Sequence, residues 1–145
     1  MYKIKENEDR ERFILLIPAM LDAHFPLLKY AFYSKNYHPV ILKNEKNITE
    51  VGLKYVNNDM CYPIILNAGQ MIAALQSGKY DLNRTKLLMP TAGDACRGSN
   101  YMYVLKTAVQ KAGLSQVQVL SLNIQGLEKG EQIKLEPDMV WRALF

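Results

Sequence analysis

The sequence predicts a three-layer α/β domain of Rossmann-like or flavodoxin-like type, with a mostly parallel sheet of about four strands. Three observations predict it. Short apolar runs alternate along the chain with longer segments whose apolar residues recur at helical spacing. The runs are apolar on both faces, as strands covered by helices on each side have to be. The 145 residues suit one domain, spanning 1–145, with room for a sizeable core.

The first run, Phe13-Ile14-Leu15-Leu16-Ile17, reads as strand one, and Pro18 ends it. Asp22 then offers an N-cap, and Leu28, Ala31 and Phe32 recur at helical spacing until Lys35-Asn36 closes the segment. Val40-Ile41-Leu42 is the second strand, followed by a short helix over 49–56. Over 61–77 the apolar residues Ile64, Ile65, Ala68, Met71, Ile72 and Leu75 share one helical face, with Pro63 in the first turn and Gly78 as the stop. Leu87-Leu88-Met89 is the third strand, ending at Pro90. After a small-residue loop over 91–98, Tyr101, Leu105, Ala108, Val109 and Ala112 mark a helix stopped by Gly113. A fourth strand covers 117–122, and 136–145 reads as a last short helix. Right-handed crossovers join such strands into a mostly parallel sheet with helices on both faces.

Composition narrows the functional classes. The hydrophobic and charged fractions, 49% and 22%, argue against disorder. Basic residues number 18 against 14 acidic, a net charge of +4, but they are scattered rather than gathered, which predicts no nucleic-acid partner. The polar start Met1-Tyr2-Lys3-Ile4-Lys5-Glu6 is not a secretory signal, and no run approaches the ~20 apolar residues of a membrane helix. The expectation is a cytoplasmic chain with no membrane partner. Met139, Val140, Trp141, Leu144 and Phe145 place large apolar side chains at the C-terminal end. Either they pack back on the sheet or the chain is a piece of a longer multidomain protein, and an exposed apolar end would also favour a homodimer.

Two cysteines, Cys61 and Cys96, are too few for a disulfide scaffold. Both fall where a helix is expected to begin at the carboxyl edge of the sheet, the edge at which open α/β sheets bind ligands. There the helix dipole and nearby cations such as Arg97 favour the thiolate, the form that ligates metal. Around Cys96, Gly93 and Gly98 allow close backbone approach, Ser99 is small, and Arg97 is the one bulky side chain, a composition suited to an anionic cluster. Two buried packing residues remain the plain alternative.

The phrases Asn58-Asp59-Met60-Cys61-Tyr62-Pro63 and Gly93-Asp94-Ala95-Cys96-Arg97-Gly98-Ser99-Asn100-Tyr101 carry a resemblance, together with Ile17-Pro18 and Ser121-Leu122-Asn123. They resemble the 2-hydroxyacyl-CoA dehydratase and benzoyl-CoA reductase-like proteins, and most of all the dehydratase-like region of large CoA-substrate-specific enzyme activase fusions. The likeness runs from strand one to about Leu127. It implies that Cys61 and Cys96 ligate a [4Fe–4S] or related iron–sulfur cluster, with Gly93, Arg97, Gly98 and Ser99 around it. It also implies two partners, an ATPase activator domain and a second α/β domain that supplies the remaining cluster ligand, since this sequence has no third cysteine. In such a system ATP drives a low-potential electron toward reduction or dehydration of a CoA thioester, and this chain alone is not expected to be active.

Other constellations are weaker. Gly93 and Gly98 have a P-loop gap, but Ser99-Asn100 stands where Lys-Ser/Thr is required. Strand one leads into Pro18-Ala19-Met20-Leu21-Asp22 without the glycines of a dinucleotide fingerprint, and the same residues are poor material for an FMN phosphate loop. His24 and His38 lack metal-ligand spacing and read as structural. Asp59 and Asp94 read as cap or turn residues, and Tyr62 and Tyr101 as candidates to shield a cluster. A non-catalytic α/β interaction or small-ligand-binding domain with structural cysteines is the alternative from a different class.

Overall fold

The computed structural model describes residues 12–20, 25–90, 100–122 and positions 133, 137, 139 and 141. Its elements are β1 (Phe13–Ile17), α1 (Phe25–Phe32), β2 (Tyr37–Ile41), α2 (Ile48–Tyr55), α3 (Tyr62–Gln76), β3 (Thr85–Pro90), α4 (Tyr101–Lys111) and β4 (Gln118–Leu122). The four strands form one parallel sheet in the order β2-β1-β3-β4, the order of a flavodoxin-like sheet. The topological switch point therefore lies between β1 and β3.

Alternation along the strands divides the core in two. Leu16, Leu87, Met89 and Val119 pack under α2, α3 and α4, together with Ile64, Met71, Ile72 and Leu105. Leu15, Ile17, Leu88 and Leu120 pack on the other face with Phe32 of α1. The architecture is thus the expected three-layer α/β one. Ile133 and Met139, 6% and 2% exposed, join that second face, and the Ile133 N–H donates to the Ser121 carbonyl at 3.2 Å. Met139, of the apolar C-terminal residues, therefore packs back on the sheet, whereas Trp141 is exposed. Positions 137, 139 and 141 are helical, in keeping with the expected last helix.

The elements fall where the sequence reading puts them to within a few residues: α1 ends at Phe32, ahead of Lys35-Asn36, β2 ends at Ile41 rather than Leu42, the proposed N-cap Asp22 lies outside the described residues, and the largest differences are at two strand starts. β2 begins at Tyr37 rather than Val40, and β3 at Thr85 rather than Leu87. The apolar run marks only the covered part of each strand, while the amino-terminal residues Tyr37 and His38 pair with Phe13 and Ile14 at the less covered end of the sheet. Edge strand β2 accommodates Pro39 for a specific reason. Phe13 N–H donates to the Asn36 carbonyl and Leu42 N–H to the Ile17 carbonyl, so even-numbered residues of β2 turn their amides toward β1. Pro39, Ile41 and Lys43 point theirs outward, and the missing N–H of Pro39 removes no ladder bond.

Helices α2 and α3 run antiparallel at backbone contact. A Cβ on Gly69 would lie 1.9 Å from the Ile48 carbonyl oxygen, and one on Gly52 would lie 2.1 Å from that of Ile65. Glycine at both positions is what lets the two helices approach so closely. Across the same pair Gln76 Nε2 donates to the Tyr55 hydroxyl at 3.1 Å. That bond, with the neighbouring Lys54 ammonium, lowers the Tyr55 pKa from the ordinary tyrosine value.

Candidate functional site

Cys61 is the N-cap of α3, in extended backbone conformation (φ −64°, ψ 143°), and Pro63 follows in the first helical turn. The approach to it is a turn: Met60 N–H donates to the Asn57 carbonyl, and Asp59 N–H to Asn57 Oδ1. Asp59 is thus a turn residue, as expected. This turn leaves the Cys61 side chain exposed. A packing cysteine would be buried.

Cys61 Sγ lies 2.6 Å from the hydroxyl of Tyr101, the first residue of α4 and itself buried. The contact brings the amino-terminal ends of α3 and α4 together, where unpaired N–H groups and dipoles favour negative charge. Tyr62, beside the thiol, is 59% exposed, and its hydroxyl is 3.4 Å from Thr49 Oγ1 on α2. Of the two tyrosines suggested as shields, Tyr101 contacts the thiol and Tyr62 faces outward.

Cys96, Arg97, Gly93, Gly98 and Ser99 lie outside the described residues, as do Asp94 and His24. Their placement relative to Cys61 is therefore not part of this geometry. His38 is on β2, edge-to-face with Tyr33 at 5.9 Å between ring centroids, a packing role like the one expected of it. Among the described residues no group of three or more His, Cys, Asp and Glu could hold a metal ion. Cys61 offers one exposed thiol at a helix N-terminus.

Gln70 is a residue the sequence reading passed over. It is 4% exposed in the middle of α3, yet its Oε1 accepts the Ala19 N–H at 2.9 Å. Its Nε2 donates to Asn44 Oδ1 at 2.5 Å and to the Ala19 carbonyl at 3.4 Å. One side chain thus fixes the segments that follow β1 and β2 at the carboxyl edge. Occupied by Gln70, the Ala19 amide is not free to cradle a phosphate, which removes support from an FMN reading. Among the described residues, Asn67 Nδ2 on α3 and Ser121 Oγ near the carboxyl end of β4 are buried without a hydrogen-bond partner. Buried donors normally find one. A signal for Gln70 and Asn67 was present in the sequence, since both are polar residues within the apolar stretch of α3.

No helix among the described residues is long and apolar enough to cross a membrane. No family model, curated protein or solved structure matches the chain.

Proposed function

We propose that this chain is an iron–sulfur-binding α/β domain of a dehydratase-like system, with Cys61 and Cys96 as thiolate ligands. The observation that supports it best is the exposed Cys61 thiol at the N-cap of α3, against the hydroxyl that opens α4. Cys61 in this reading ligates iron, and the Tyr101 hydroxyl donates a hydrogen bond to its thiolate sulfur, tuning its electron density. By composition alone, Arg97 would bring a positive charge next in sequence to Cys96, and Gly93, Gly98 and Ser99 would add little bulk around it. A bound [4Fe–4S] cluster would provide a low-potential one-electron centre for reduction or dehydration of a CoA thioester. The remaining ligand would come from a second α/β domain, and the electron from an ATPase activator domain.

Anaerobic reconstitution with iron and sulfide, followed by iron analysis and EPR, tests the proposal. Iron uptake is expected, and Cys61→Ala and Cys96→Ala should each lower it. Uptake unchanged in both variants, or no uptake by this chain together with the second α/β domain, overturns the reading. A small-ligand-binding domain at the same edge is the second reading, favoured by the unpartnered Asn67 and Ser121 groups.

A further inference from the structure

A cavity of about 270 Å3, which Cys61 does not line, lies between β2 with the segment that follows it and the carboxyl-terminal half of α3. Its floor is apolar, built from Val40, Leu42, Ala73 and Ala74. Its charged lining is Lys43, Glu45 and Lys79, and among the described residues none of them forms an ion pair. Ile41 also lines it, although the Ile41 side chain packs on the opposite face of the sheet with the α1 core. What Ile41 contributes here is main chain. The β1–β2 register turns the N–H groups of Ile41 and Lys43 outward, and neither is used in the sheet.

We infer that this cavity binds a small aliphatic carboxylate. The apolar floor takes the hydrocarbon body, while the Lys43 and Lys79 ammonium groups and the outward main-chain N–H groups meet the anionic head. The volume lies just below the ~300–1,000 Å3 of sites for drug-sized ligands, which sets the size class. Two lysines against one glutamate leave the lining net positive, so an anion is favoured over a cation. An added peptide strand suits the same edge less well, because Pro39 offers no donor and flanking lysines guard it. The site is independent of the cysteines, and its ligand needs no iron.

Titration of the 15N-labelled chain with pentanoate and, separately, with pentan-1-ol tests the inference by NMR. Pentanoate should shift the amides of Ile41, Lys43, Ala73 and Ala74 saturably, and pentan-1-ol should bind about tenfold more weakly or worse, as loss of a charge-assisted contact requires. The double substitution Lys43→Gln, Lys79→Gln should weaken pentanoate binding about tenfold while leaving the alcohol unchanged. These lysines are exposed, so the variant retains the fold, which the amide spectrum itself reports. Ala74→Leu, which fills the cavity, should abolish both. Absence of saturable shifts at these amides, equal affinity for acid and alcohol, or binding that survives the cavity-filling variant in a folded chain overturns the proposal.

Discussion

The two helical layers are held to the sheet by different means. On one face α2, α3 and α4 form a continuous apolar layer in which α2 and α3 touch backbone to backbone. On the other, among the described residues, Phe32 of α1 meets Ile133 and Met139 over a smaller core, and Leu27 and Tyr30 of α1 are 63% and 60% exposed. Cys61, Gln70 and Tyr101 all belong to the first layer. The candidate site is thus carried by the layer in which two helices touch backbone to backbone, a close-packed support with little room to deform.

Close backbone approach gives the largest expected effect. Gly69→Ala places a methyl 1.9 Å from the Ile48 carbonyl oxygen, and neither helix backbone can yield without separating from the other. A loss of about 3 kcal/mol or more is expected in urea unfolding. Gly52→Ala should behave similarly. Gly78 and Gly113 supply the internal contrast: both have positive φ, 72° and 76°, but open space where a Cβ would stand. Alanine there costs about 1 kcal/mol, the backbone strain alone. Equal losses at all four glycines would break the distinction between packing and conformation.

The next effect compares two buried methionines. Met71 is fully buried in the α2–α4 layer, and Met139 is 2% exposed in the opposite one. Met71→Ala should fall toward the upper part of the ~2–5 kcal/mol range for large core truncations, because its cavity is walled by helix and sheet together. Met139→Ala is expected at about 2 kcal/mol, the lower end of that range. If thermal unfolding showed the reverse order, the C-terminal residues rather than α3 would be the principal support of the sheet.

That ranking also explains what the sequence made legible. The run Phe13-Ile14-Leu15-Leu16-Ile17 is apolar throughout because β1 is central, so its strand was bounded correctly at both ends. β2 is an edge strand, and Tyr37, His38 and Pro39 carry no run of aliphatic residues, so only its carboxyl end was visible. Helical spacing located α3 and put Cys61 at its start. The Tyr101 contact joins residues 40 positions apart, and Gln70 reaches 51 positions back to Ala19. Such pairings depend on crossovers and register, which local periodicity does not encode. Gly52 and Gly69 were legible only as oddities: a glycine inside a helix costs about 1 kcal/mol relative to alanine, so its presence asks for a packing reason.

Gln70 gives the third effect. Gln70→Ala removes the acceptor of the Ala19 N–H and the donor to Asn44 together, at a buried position. The expected cost is about 1–2 kcal/mol, because the Ala19 amide left behind is half-buried while Asn44 is exposed and turns to water. Hydrogen exchange locates it: the Ala19 amide should lose protection in the variant while the Leu16 and Leu87 amides in the centre of the sheet keep theirs. Uniform loss of protection would mean that Gln70 supports the whole layer and not the segments beyond β1 and β2.

The smallest effect is expected at the thiol itself. Tyr101→Phe deletes the hydroxyl 2.6 Å from Cys61 Sγ but keeps the buried ring that packs in the α2–α4 core. Because Cys61 is exposed, water replaces the lost partner, and the change in unfolding free energy should be at most about 1 kcal/mol. Tyr101→Ala also removes the ring and should cost about 3–5 kcal/mol, the range for a buried aromatic. The difference between the two variants separates ring from hydroxyl. A Tyr101→Phe loss as large as that of Gln70→Ala would make the Cys61 contact a structural tie between the ends of α3 and α4, and would favour the reading in which the cysteine serves the fold. A small loss leaves the thiol held lightly beside a hydroxyl, the arrangement a ligand-binding cysteine needs.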